Sequence, residues 1–204
     1  MRNFLLHTLA MVSGGKQSGF TLIELMVVIA IAALAITLST PLSNIYKRNR
    51  VTTQVHDFVA ALKLARSEAI TRGNPVSVCV AAKSNPTTCR TTSNNGGSGT
   101  WEDGWIVFSD LDGSCSITNS NDVIINQHRP LSENYTLRKG NSRCIQYNAN
   151  GVIPIGFGVL TLCDPTKSQL LKRGIDLSIS GRVQILDTDS AKTQSVTLDS
   201  CPAT

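Results

Sequence analysis

Residues 20–38 read FTLIELMVVIAIAALAITL, nineteen positions with a single ionisable group, Glu24. At about 1.5 Å per residue such a helix is roughly 28 Å long, close to the hydrocarbon thickness of a bilayer. A cleaved secretory signal is the competing reading, but its apolar core is about 7–15 residues and ends in a small-residue cut site. This run is longer and ends at Ser39-Thr40-Pro41 with no A-x-A pattern. It therefore reads as a retained single span.

Glu24 is the exception within the run. A carboxylate in the lipid core costs on the order of 3 kcal/mol, so it calls for a partner unless it snorkels to the interface. No Lys or Arg lies within the run. The cation that could meet it is an α-amino group created by cutting the chain just upstream.

Gly19-Phe20-Thr21-Leu22-Ile23-Glu24-Leu25 resembles the class III signal of type IV pilins and pseudopilins. The resemblance implies that a prepilin peptidase cuts after Gly19 and that the new Phe20 amine is N-methylated. It also implies that Glu24, fifth in the mature chain, pairs with the Phe20 amine of a neighbouring subunit, and that Pro41 kinks the helix. The leader, 1–19, carries an apolar stretch of its own at 4–12, longer than a minimal pilin leader.

Beyond Pro41 the pattern stays helical. Val51, Val55, Phe58, Leu62, Ala65 and Ala69 recur at three- and four-residue steps, with Arg48, Asp57, Lys63, Arg66 and Glu68 on other faces. Gly73-Asn74-Pro75 is a stop signal, because Gly suits a left-handed position after a helix and Pro cannot continue one. The expectation is one helix from Phe20 to about Arg72, locally interrupted or bent at Pro41. Its first part, 20–40, serves lipid or a filament core, and 41–73 is amphipathic and covers a head.

The remainder, 74–204, reads as β structure. Candidate strands are 76–80, 105–108, 123–126, 135–138, 144–147, 159–163, 174–179, 182–186 and 195–198, separated by turn-rich breaks such as 94–99, Asp112-Gly113, 148–151 and Ser180-Gly181. The polar segment 83–99 reads as an exposed loop. Short strands behind one long helix imply an α+β fold, with an antiparallel two-sheet head packed on the helix.

All six cysteines, Cys79, Cys89, Cys115, Cys144, Cys163 and Cys201, fall in this head. An even count beyond a membrane span reads as disulfides in an oxidising compartment. Zinc is the rival, but no C-x-x-C pair exists, and His56 and His128 do not sit near cysteines at ligand spacing. Six cysteines allow fifteen pairings. Cys79–Cys89 would close a short loop after the first strand, and Cys163–Cys201 would tie the C-terminus to a late strand, leaving Cys115–Cys144.

Charge settles less than its total suggests. The net +5 includes Arg2, Lys16, Lys47, Arg48 and Arg50 around the apolar run. Beyond residue 50, fourteen bases face thirteen acids, a balance of +1. A head outside the cytosol puts Arg2 and Lys16 inside, while Lys47, Arg48 and Arg50 oppose the positive-inside rule.

The head motifs Ala65-Arg66-Ser67-Glu68-Ala69-Ile70, Trp101-Glu102-Asp103-Gly104-Trp105-Ile106-Val107-Phe108, Gly151, Thr161-Leu162-Cys163 and Ser180-Gly181-Arg182-Val183 resemble the FimT/FimU/GspH group of minor pilins and pseudopilins. That resemblance implies a minor pilin of type IV pili that helps start or cap a pilus with its head at the tip. Its implied partners are other minor and major pilins, the prepilin peptidase and the inner-membrane assembly platform. It would sit in the inner membrane with a periplasmic head before assembly, and in the extracellular pilus afterwards.

Some members of the group capture DNA through a Gly-Arg-x-Arg hairpin. Here Gly181-Arg182-Val183-Gln184 has Gln where the second Arg belongs, and Lys172 and Arg173 could supply charge from the adjacent strand. DNA binding for natural transformation is therefore an alternative, as is a type II secretion pseudopilin. Losing one cation removes about one phosphate contact and lowers the salt slope by about 0.9.

Other features read structurally. Trp101 and Trp105 are either a binding pair or a core strand residue beside a loop plug, and the core reading is favoured. Asp110-Leu111-Asp112-Gly113 hints at calcium but lacks the spaced ligands of an EF-hand loop, so a turn is expected and no metal site. His7, His56 and His128 stand in no catalytic motif, and no nucleophile elbow, H-E-x-x-H, P-loop or dinucleotide loop occurs. The chain is expected to be neither an enzyme nor a cofactor binder.

Overall fold

The computed structural model describes residues 19–90, 100–132, 134–140, 142–165, 171–187 and 198, with the side chains of 37–44 excepted. The leader before Gly19 and residues 195–197 of the strand expected at 195–198 lie outside the described residues, as do Cys201 and the turn at 94–99, and residue 198 is in no strand. The chain divides into two compact units, 1–44 and 45–204.

Helix α1, Leu22–Arg72, is assigned through Pro41 without a break, so the expected interruption there is not observed. Proline removes one backbone donor, and the assigned helix continues on both sides of that single loss. Gly73 takes φ +65° and ends the helix, and Asn74 Nδ2 donates to the Arg72 carbonyl at 3.2 Å. The six apolar positions picked out by spacing, Val51 through Ala69, are each no more than 1% exposed.

Eight strands follow: β1 Val76–Val80, β2 Trp105–Ser109, β3 Ile124–His128, β4 Thr136–Arg138, β5 Cys144–Tyr147, β6 Gly158–Cys163, β7 Arg173–Leu177 and β8 Val183–Leu186. They form two four-stranded antiparallel sheets, ordered β3-β2-β1-β5 and β4-β6-β7-β8. One core unites the buried face of α1 with both sheets, through Val78, Val107 and Ile145 on one side and Leu137, Leu160 and Ile175 on the other.

Alternation in the first sheet is misleading. Val76, Val78 and Val80 face the main core, yet Ser77 and Cys79 are buried as well. A second, smaller cluster of Cys79, Ala81, Cys89, Ile106 and Phe108 covers the other face, with Ile117 packed on it. Disulfides Cys79–Cys89 and Cys115–Cys144 hold the covering loops down, with Cα–Cα distances of 5.6 and 5.9 Å. Cys163 is disulfide-bonded too, while the cysteine expected opposite it, Cys201, lies outside the described residues.

The same arrangement corrects the reading of 83–99 as an exposed loop at 88–90, while 91–99 lie outside the described residues. Residues 83–87 are exposed, but Cys89 and Arg90 are buried. Cys89 is tied to β1, and the Arg90 guanidinium pairs with Asp103. Its charge is thus buried with a counter-charge rather than solvated.

Candidate functional site

The N-terminal region is built by one helix start. Thr21 precedes α1, its carbonyl accepts the Leu25 N–H at 3.2 Å, and its hydroxyl oxygen accepts the Glu24 N–H at 3.3 Å. This is an N-cap, and it places Glu24 in the first turn, where the helix dipole favours a carboxylate. Phe20 lies one residue before the cap and is 81% exposed. A Cβ on Gly19 would meet nothing within 4 Å among the described residues.

Side chains described between residues 20 and 36 are exposed on every side of the helix, among them Leu22, Ile23, Met26, Ile29, Ile31 and Leu34. A helix apolar all round has no stable exposed state in water and needs lipid or other helices. Among the described residues no helix is long and apolar enough to cross a membrane. The apolar run read from the sequence ends at 37–38, whose side chains fall outside those described.

The second candidate, the hairpin of β7 and β8, turns at 178–182. Gly181 N–H donates to the Ser178 carbonyl at 2.9 Å, and Arg182 N–H donates to Ser178 Oγ at 3.2 Å. Gly181 has φ +80°, and a Cβ there would sit 2.0 Å from the Gly151 carbonyl oxygen and 3.1 Å from Arg66 Nε. The glycine is therefore required by close packing between two turns, whatever the hairpin binds. Arg66 donates from Nη2 to the Ser180 carbonyl at 3.0 Å and so ties the turn to α1.

Arg182 is exposed at that turn, and among the described residues its guanidinium has no partner. Lys172 and Arg173 do not join it. They lie at the opposite end of the hairpin, five and six strand steps or about 17–20 Å away. Lys172 is 6% exposed and donates to the Leu198 carbonyl at 3.0 Å, and Arg173 Nη1 donates to the Lys172 carbonyl. The cationic cluster suggested by sequence proximity is not formed, because an antiparallel hairpin separates what its strands' far ends carry.

Both tryptophans belong to the core. Trp101 Nε1 donates to the Ser142 carbonyl at 3.0 Å, and Phe58 meets Trp101 and Trp105 edge-on, with centroids 5.3 and 4.9 Å away. His128 stacks on Trp105 at 3.9 Å and approaches Asp57 at 3.7 Å, while His56 is exposed. Glu102 pairs with Arg138, yet burial holds its carboxyl above the ordinary range. Burial likewise pushes the Tyr147 hydroxyl up to about 12.

Asp110, Asp112 and Asp122 bring carboxylate oxygens within 4.8 Å of one another. Their hydrogen bonds are those of turns and of a buried network with two strands. Asp110, fully buried, accepts from Ser77 Oγ at 2.6 Å and from Ser114 N, Cys115 N and Gln146 Nε2 at 3.0 Å each. Asp112 accepts from Ser114 N, and hydrogen bonding by the Ser114 side chain and then its backbone lowers the Asp112 pKa, while Asp122 accepts from Thr118 N and Asn119 N. This buried network is invisible in the sequence, where Ser77 and Gln146 look like solvent-facing strand positions.

Comparison with known proteins separates the two regions. The family model described as prokaryotic N-terminal methylation motif matches residues 14–40, which include Gly19, Phe20 and Glu24. The model described as Type II transport protein GspH matches residues 54–181, more than half of the chain. The chain belongs to the GspH family.

The GspH-family head also has a solved counterpart. The type IV minor pilin FimU of Pseudomonas aeruginosa (strain PAO1) superposes with a TM-score of 0.52 at 20% identity, covering 68% of this chain and 90% of that one. A second crystal form of the same protein gives a TM-score of 0.49 at 18% identity, covering 66% and 91%. At such identity the likeness is one of fold. No curated protein sequence matches the chain. The family is that of a type II transport protein, the N-terminus carries a methylation motif, and the fold is shared with a type IV minor pilin.

Proposed function

We propose that this protein is a minor pilin of type IV pili, cut after Gly19, N-methylated at Phe20, and placed near the pilus tip to help initiate or cap assembly. One observation carries the reading. A methylation-motif match covers a capped helix start, with Glu24 in its first turn and apolar side chains exposed all round. Uncovered apolar surface of that kind gains most when neighbouring helices replace lipid around it. Glu24 then pairs with the Phe20 amine of the next subunit, a charge pair that lowers the cost of the carboxylate. Before assembly, 20–38 spans the inner membrane with the head in the periplasm, where disulfides persist.

The description of the matching family supports a second reading, a minor pseudopilin of a type II secretion system. A deletion strain separates the two. Loss of surface pili and twitching with secretion intact is expected; loss of secretion with twitching intact would replace the first reading by the second.

Capture of DNA has Arg182 as its support among the described residues, since Lys172 and Arg173 are held elsewhere. The full chain is expected to show no salt-sensitive binding to duplex DNA. Binding that Arg182→Ala abolishes would make it an uptake receptor.

A further inference from the structure

Just after the apolar run, the chain carries Tyr46, Lys47, Arg48 and Arg50, and no acid occurs between Glu24 and Asp57. If the head is periplasmic, these cations stand on the side of the membrane where the positive-inside rule disfavours them. An anion on that side would account for them.

The structure shows where such an anion fits. Tyr46, Lys47 and Arg50 line an open groove of about 540 Å³ with Ser132, Tyr135 and Asp164. Arg50 is fixed across it. Its Nε donates to Ser132 Oγ at 3.2 Å, its Nη1 donates to Tyr46 Oη at 3.4 Å, and its carbon centre lies 6.0 Å from the Tyr135 ring centroid. A guanidinium held this way loses little further freedom on binding an anion. Among the described residues, neither Lys47 nor Arg50 has a carboxylate at ion-pair distance. Asp164, the acid in the lining, is 1% exposed and has interactions of its own. Glu133 and Lys167, close in sequence to lining residues, lie outside the described residues.

We propose that this groove binds the phosphate headgroup of an anionic phospholipid in the leaflet from which the head emerges. The inference rests on the reading of 20–38 as a membrane span. Seven residues separate Leu38 from Tyr46 in the sequence, so the groove's cations follow the apolar run closely along the chain. Long side chains on a helix lean toward its N-terminus, and Arg50 does so in reaching Tyr46 one turn back. Tyrosine suits this depth, because its ring is apolar and its hydroxyl is wet. Leaving the bilayer for a filament then requires exchanging the headgroup for a neighbouring subunit, so the groove holds the subunit at the membrane until that neighbour arrives.

The test uses the full chain, purified in mild non-ionic detergent and stripped of lipid. Phosphatidylglycerol or phosphatidylcholine with the same acyl chains is added, and retained lipid is counted by native mass spectrometry. One phosphatidylglycerol per chain is expected, preferred over phosphatidylcholine by about 25-fold, about fivefold for each of two cations. Lys47→Gln with Arg50→Gln should abolish the preference, and circular dichroism should show the head still folded despite the lost Arg50 bonds to Ser132 and Tyr46. Arg50→Lys should keep most of it, and Lys63→Gln, the same charge removed elsewhere on the helix, should keep all of it.

Equal retention of the two lipids, or an undiminished preference in the double variant, would overturn the proposal. Displacement of the lipid by millimolar inorganic phosphate would overturn it too, by showing a free-anion site. Flotation with neutral vesicles tests the span separately. A chain that does not float lacks the span, whereas one that floats but shows no lipid preference refutes the headgroup site alone.

Discussion

The two units of this chain solve opposite problems. The unit at 45–204 has a core of its own, shared among the buried face of α1 and both sheets, and a second cluster closed by disulfides. The unit at 1–44 offers a helix whose described side chains are all exposed. A segment that cannot cover itself declares that something else must, and its single carboxylate indicates what. A self-sufficient head declares its fold and leaves its partners to the surface. That is why the proposed function rests on Glu24 and Phe20, while Trp101 and Trp105 speak to packing.

The sharpest way to break this comparison is to damage the head alone. Phe58 is fully buried and meets both tryptophans. Phe58→Ala should cost about 3–5 kcal/mol of head stability by the cavity it leaves. Thermal unfolding should register that loss, while flotation of the full chain with neutral vesicles stays as in the wild type. A parallel loss of flotation would show that the two regions do not act independently.

Opening the outer face of the first sheet comes next. Cys79→Ser with Cys89→Ser removes a bridge across ten residues of sequence separation, worth about 2–3 kcal/mol. Because Cys89 and Arg90 are pinned there, protease should cut within 83–90 far faster in the variant. Arg66→Ala is a smaller cut. It loses the bond to the Ser180 carbonyl and should cost about 1–2 kcal/mol, with amide exchange quickening at 178–182. Unchanged exchange there would mean the turn is held by the Gly151–Gly181 packing alone.

The smallest effect is one of pH. Burial raises the Glu102 carboxyl above 4.5, its ordinary value. The unfolded chain then releases that proton first, so Glu102 lowers stability as pH rises from about 4.5 through its raised folded value. Glu102→Gln should flatten that part of the stability profile, measured by denaturant titration at several pH values. A steeper fall in the variant would reverse the assigned sign.

Much of this was legible in the sequence, for identifiable reasons. Spacing revealed the buried face of α1, because a 3.6-residue period survives whatever the helix packs on. Strand positions were legible to within a residue or two because Gly and Asn-rich turns punctuate them, as at Asp112-Gly113 and 148–151. Contacts between distant segments were not legible. Arg66 looked solvated, yet it holds the Ser180 carbonyl 114 residues away. Ser77 looked like an exposed alternate, yet it donates to a buried Asp110. Lys172 and Arg173 looked like neighbours of Arg182 because hairpin strands adjoin, although the register places them at its far end. Composition and local pattern carry neither register nor tertiary contact, and these decided all three.

The most direct test of the central claim is incorporation of a Glu24→Val chain into pili, in a strain lacking the native copy. Sheared pili are probed for the subunit, beside membrane level and the head's melting temperature. If Glu24 recruits the subunit by pairing with a neighbour's Phe20 amine, the variant should be membrane-bound and folded but missing from sheared pili. Incorporation at the wild-type level would contradict that account.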